Sequence, residues 1–310
     1  NIKAIQMLRI NPFRFPRHIH VLEHLDRLVE IFNVCWPMYA AMPAILKDSV
    51  ERAYADCGWD LAKSENKYDP ELFPTFRDVV CQIKAVLAES DYSADNKGDY
   101  TGSLVTRLRS LTNGINGLLF TPDDIKDEDL FDKNVIVDLS RIGSLETKSP
   151  IMGLLVLKQQ EYRMEQRVNG ANMNDSLKHV TVLEEAHHLL KRTSTEQTSE
   201  SANLVGKSVE MLANSIAEMR TYGEGFVIAD QSPGLLDMSV IRNTNTKIIL
   251  RLPDLSDREL VGRAAGLTDN QIIELARLEK GVAVIHQSDW LEPVLCKIDK
   301  YEEGENSNFQ

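Results

Sequence analysis

Past Phe131 the apolar residues change their spacing, and that change limits what the chain can fold into. Runs of five to seven residues rich in Val, Ile and Leu, at 134–138, 179–183, 225–229, 246–252, 281–286 and 293–298, fit strands. Between most of them lie segments at 150–168, 202–221, 257–265 and 269–279 whose apolar residues recur every three or four positions, as helices require. A strand covered on both faces has no polar side to show, so it reads as a continuous apolar run. Strands of that kind alternating with helices predict an α/β fold with a mostly parallel sheet. Ser256-x-x-Glu259 and Thr268-x-x-Gln271 have the form of capping boxes, and Gly266 and Gly281 stand where helices should stop.

The residues before Phe131 follow the helical period. Leu22, Leu25, Leu28, Val29 and Phe32 mark one helix, and Ile45, Leu46, Val50, Ala53 and Tyr54 a second. Pro74 suits the first turn of a helix at 75–88, and another fits 104–111. The expected organisation is a strand and connection at 1–18, a helical subdomain at 19–130, the α/β core at 131–300 and an acidic tail at 301–310. Residues 193–201 contain no apolar side chain and are expected to form a mobile loop.

With 310 residues and 43% apolar content, the chain is long enough to bury a sizeable core. Apolar runs end well before the ~20 residues of a membrane-spanning helix, so no membrane partner and a cytoplasmic location are expected. The four cysteines form no C-x-x-C pair, which argues against a zinc ribbon or a disulfide framework. A net charge of -12 excludes a surface that is basic throughout but leaves room for a local basic channel. The chain opens at Asn1 without an initiator Met, inside what reads as a strand, and is expected to belong to a longer protein.

Chemistry concentrates at strand ends. His179–His187 is a β-branched run closed by Glu184 and Glu185, and the carboxyl ends of α/β strands are where such sheets bind ligands. One acid there can hold Mg2+ through its water shell while the other polarises an attacking water. An ordinary turn with solvated acids would have the same sequence. The next strand, Gly225–Ala229, leads to Gln231, whose amide can bond a γ-phosphate or that water. The helix between them carries Val205, Val209, Leu212, Ile216 and Met219 on one stripe and ends at Arg220. That arginine either caps the helix or reaches a phosphoryl group across a subunit interface. His187 and His188 are expected to play structural parts, since the local run does not supply a convergent ligand set.

Together these motifs resemble the HerA/FtsK superfamily of ring-forming DNA-translocating ATPases, and within it the HerA-like proteins. The resemblance is carried by Ile10-Asn-Pro-Phe13, by 134–142 with Glu146-Thr-Lys148, by Val180–His187, by Glu218–Pro233 and by Asn245–Leu252. It implies a RecA-like P-loop NTPase core with the helical subdomain inserted, and ATP and Mg2+ as cofactors. Glu184 would then be the magnesium-side acid, Glu185 the catalytic glutamate, Gln231 the sensor, Arg220 the arginine acting in trans and Arg251 a second nucleotide-side arginine. Asp138, Arg107 and Arg109 receive no role. The implied assembly is a homo-oligomer, a hexamer by resemblance, acting on double-stranded DNA with an effector nuclease or other enzyme in DNA-end processing or anti-phage defence.

One departure stands out: no G-x-x-x-x-G-K-[ST] occurs in these 310 residues. Val205-Gly-Lys-Ser208 lacks the first Gly and falls in a helical stretch after the acidic strand. In HerA-like proteins the phosphate loop precedes the Ile-Asn-Pro-Phe region, so this part alone is expected not to hydrolyse ATP. A second reading is therefore a catalytically silent ATPase-like scaffold. A third is a zinc peptidase, because His20-Val-Leu-Glu-His24 has the form H-x-x-E-H, with both histidines on one helical face and Glu23 as base.

Overall fold

A computed structural model describes residues 7–168, 176–192 and 200–300. The acidic tail and residues 193–199 of the apolar-free loop lie outside the described residues. The chain divides into two compact units, 1–183 with 193–227 and 184–192 with 228–310.

In the first unit, helices α1 (Val21–Cys35), α2 (Met42–Asp56) and α3 (Phe76–Glu89) come from the heptad-like apolar spacing. α3 starts later than Pro74 suggests: Thr75 is its N-cap, and Thr75 and Asp78 form a capping box. Phe13, Phe32, Trp36, Tyr54 and Phe76 fill the space between the helices. The Ile10-Asn-Pro-Phe13 motif enters this core. Asn11 accepts the Phe13 N–H at 3.1 Å, and Ile10 donates its N–H to Leu119 at 2.8 Å in a parallel bridge region.

Two longer helices, α4 (Leu145–Val168) and α5 (Glu200–Glu218), both pack on α1. α5 buries Val209, Leu212 and Ile216, and Met219 in the following turn, as the stripe predicts. Val205–Ser208 is helical within it, and the buried Ser208 hydroxyl donates to Glu30 at 2.5 Å. That segment is a packing element, with its backbone N–H groups inside a helix rather than wrapped around an anion.

Strands β1 (His179–Glu184) and β2 (Glu224–Ala229) are hydrogen-bonded neighbours. Their amino ends meet, with Lys178 N–H donating to Gly223 at 2.8 Å, so the pair runs parallel. α4 docks on one face through a buried polar ladder. Arg163 Nε donates to Glu224 at 2.9 Å, and the other Glu224 oxygen bonds His179 Nδ1 at 2.7 Å and the Thr181 hydroxyl at 2.8 Å. Gln159 donates to that hydroxyl at 2.6 Å. On the opposite face Val180, Val182 and Val227 are exposed, although their composition is that of a strand buried on both sides.

The segment 134–138 corrects the sequence expectation. It forms no strand, and Val135, Ile136 and Val137 are exposed. A β-branched run becomes a strand only where a ladder partner saturates its backbone, and among the described residues it has none.

The second unit contains β3 (Thr246–Ile249), β4 (Val282–Gln287) and β5 (Val294–Lys297) with helices α6 (Met238–Asn243), α7 (Leu255–Ala264) and α8 (Asp269–Glu274). Its sheet, ordered β3-β4-β5, is antiparallel throughout, where alternation predicts parallel pairing. For the β4–β5 pair the connection explains this: six residues suffice for a hairpin and are too few for a crossover. Ile249, Ala265, Leu267, Ile272, Leu275 and Val284 form the core beneath it. Thr268 and Gln271 make the expected capping box, and Gly266 takes positive φ just past α7, whereas Gly281, also at positive φ, stops no helix and lies in the turn before β4, beyond a 3-10 turn that ends at Arg277. Ser256 does not cap: α7 begins earlier, on Asp254, which accepts the Asp257 N–H.

Candidate functional site

The end of β1 turns sharply. Glu185 adopts the left-handed conformation, φ 50° and ψ 47°, before a 3-10 turn at Ala186–His188. A side chain there costs roughly 1–2 kcal/mol relative to the right-handed region, and surrounding bonds hold it in place. Leu189 and Leu190 are buried behind the turn. Arg192 N–H donates to Leu235 at 2.7 Å and Asp237 N–H to Leu190 at 2.9 Å, tying the turn to the segment after β2.

That second segment brings Asp230 and Gln231. Gln231 Nε2 donates to Glu185 Oε1 at 2.9 Å. Asp230, whose side chain is 2% exposed, accepts the His187 backbone N–H at 2.9 Å and lies 2.8 Å from His187 Nδ1. Its other oxygen accepts the Ser232 N–H at 2.9 Å. His187 Nδ1 is also 3.5 Å from Glu185 Oε2. The strand ends thus gather a partly exposed carboxylate, an amide, an imidazole and a shielded carboxylate. Such a set can orient a water and accept its proton, since a carboxylate oxygen and an amide converge on one side.

Of the residues singled out in the sequence, Glu185 and Gln231 are brought together. Glu184 and Arg251 are in the same unit and exposed, and neither shares a hydrogen bond or ion pair with the cluster among the described residues. Arg220 belongs to the first unit, exposed in the 3-10 turn that ends at Gly223. Arg107 donates to the Pro37 carbonyl at 3.1 Å and Arg109 is exposed. Asp138 is exposed, and its bonds from the Ser140 hydroxyl and N–H hold its pKa below the usual carboxylate value. Asp230 carries no role in the sequence reading, and His187 only a structural one. The sequence signal was the Asp immediately before Gln231, which gains meaning only once β2 lies beside β1.

The H-x-x-E-H geometry does not assemble. His20 is the N-cap of α1 and accepts the Leu22 N–H, whereas His24 is fully buried against Glu161 at 2.9 Å. Glu23 pairs with Arg27 at 2.5 Å. No helix of the described residues is long and apolar enough to cross a membrane.

No protein-family model matches the chain. Among curated proteins it is similar to the DNA double-strand break repair helicase HerA of Sulfurisphaera tokodaii, 25% identical over 77% of this chain and 46% of that protein. It is also similar to HerA of Sulfolobus acidocaldarius, 31% identical over 40% of this chain and 23% of the relative. The chain therefore spans about half or less of the length of these relatives. Among solved structures, VirB4 of Thermoanaerobacter pseudethanolicus matches with a TM-score of 0.59 at 16% identity, covering 94% of this chain and 74% of VirB4. At that identity the match speaks for the fold alone, which is similar to that of VirB4. The resemblance carried by the motifs is borne out: the chain is similar in sequence to HerA helicases.

Proposed function

We propose that this HerA-like chain is the hydrolytic part of a DNA-translocating ATPase that works as a ring. The observation that carries the proposal is the 2.9 Å bond between Gln231 and Glu185 at neighbouring strand ends, which sets a general base beside a group able to sense a γ-phosphate. Glu185 holds the attacking water and takes its proton, Gln231 reports the phosphate, and Glu184 would hold hydrated Mg2+ brought in with ATP. Arg220 and Arg251, both exposed, supply guanidinium groups to the nucleotide, Arg220 from a neighbouring subunit. Magnesium supplies charge neutralisation on the phosphates when bound. Residues 131–300 form the ATPase core and 19–130 its helical insertion. Double-stranded DNA is the track, contacted through phosphates, and an effector nuclease or other defence enzyme is the partner.

ATP turnover by the full-length protein, with and without duplex DNA, tests this. Glu185→Gln should lower kcat by at least about 10²-fold while nucleotide binding persists. Arg220→Ala should lose turnover and regain it in mixed rings with Glu185→Gln subunits, because each then supplies what the other lacks. Full turnover by Glu185→Gln would sink the assignment. A catalytically silent scaffold makes the opposite forecast, with no DNA-stimulated turnover in the wild type.

A further inference from the structure

We propose that Glu185, His187 and Asp230 form a binding site for one first-row divalent metal ion of the Zn2+ class, distinct from the magnesium assigned to Glu184. One ligand atom from each lies within 4.8 Å of the others. His187 Nδ1 is 2.8 Å from Asp230 Oδ2 and 3.5 Å from Glu185 Oε2. Zinc bonds to nitrogen and oxygen run near 2.0–2.2 Å, which places neighbouring ligand atoms roughly 3–3.5 Å apart. The cluster needs only small adjustment to close on an ion.

The outer contacts point the same way. Each carboxylate commits one oxygen to a supporting donor and turns the other toward His187, whose backbone N–H also donates to Asp230 Oδ2 at 2.9 Å. Asp230 Oδ1 accepts the Ser232 N–H, and Glu185 Oε1 accepts the Gln231 amide, both at 2.9 Å. Bonds of this kind orient metal ligands and hold their free lone pairs on the ion. Exposure is graded: the Asp230 side chain is 2% exposed, His187 19% and Glu185 40%. The site therefore has a shielded floor and an open mouth, through which an ion can enter and where water completes its coordination.

The donor set selects the ion. One imidazole nitrogen with two carboxylates suits zinc and its neighbours, whereas magnesium prefers oxygen ligands and keeps its waters. On binding, the ion takes the place of the proton on Nδ1, which the neutral ring carries instead on Nε2. Two carboxylates then balance the double charge. Residues 185 and 187 supply two ligands, and the third comes from the end of the next strand.

A consequence follows that rests on the proposed function: an ion held by Glu185 removes that carboxylate from its water, so zinc would silence turnover. The binding itself rests on geometry alone and is tested without nucleotide. Titration calorimetry of the protein with Zn2+ in excess Mg2+ should give one ion per chain. His187→Ala and Glu185→Gln should each weaken it about tenfold or more, while Glu184→Gln leaves it unchanged. Asp230→Asn should also weaken it, read alongside circular dichroism because this buried side chain also braces the turn. Co2+ should give an absorption spectrum without a thiolate band. No saturable binding, equal binding by both the His187 and Glu185 variants, loss of binding in Glu184→Gln, or a thiolate band would each overturn the site. Since no ATP is present, failure here leaves the ATPase reading standing, and a failed turnover test leaves the ion.

Discussion

At the scale of single residues, Glu185 and Gln231 were legible in the sequence because each follows a β-branched run, and strand ends are where side chains leave the sheet. Asp230 and the role of His187 were not, because they depend on which strands are neighbours, and no local pattern encodes that. Gln231→Ala removes an amide that both steadies Glu185 and faces the proposed phosphate. It should lower kcat by roughly 10–10²-fold with little change in nucleotide affinity, measured by steady-state turnover beside equilibrium binding. An equal rise in KM with kcat intact would place Gln231 in binding rather than in the reaction.

At the scale of elements, helices are legible because their period repeats within one segment, as in the α5 stripe from Val209 to Met219. Strand pairing is not. Whether 134–138 becomes a strand, or β3, β4 and β5 run antiparallel, depends on residues far away in sequence. The polar ladder beneath β1 and β2 was also invisible, since it joins Arg163 to Glu224 across 61 positions. The Arg163 side chain is 5% exposed and the Glu224 side chain 0%, so Arg163→Ala strands a buried carboxylate and should cost about 3–5 kcal/mol in denaturant unfolding. Arg163→Met with Glu224→Leu should recover much of that loss. Gly223, at φ 83°, closes the turn after α5, and Gly223→Ala should cost roughly 1 kcal/mol by the same measurement.

At the scale of the whole molecule, the charge of -12 and the proposed DNA contacts make opposite demands. Binding must come from a local set of basic side chains, so affinity for duplex DNA should fall steeply with salt and vary little with sequence, as titrations from about 50 to 200 mM would read. Acid stability has a definite sign as well. Burial raises the Asp132 pKa, but bonds from Tyr162 and Arg163 outweigh it, leaving the folded value below the ordinary one. Its contribution is thus present above the unfolded carboxylate range and is lost as pH falls through the folded value. The stability gap between wild type and Asp132→Asn should be widest near neutrality and close below about pH 4. The left-handed backbone at Glu185 has a consequence of another kind, for populations of sequences. Glycine at 185 would relax that turn, so Glu185→Gly should melt higher than Glu185→Gln while both are silent. A library of variants sorted for thermal endurance alone would drift away from glutamate here, and one sorted for work done would keep it.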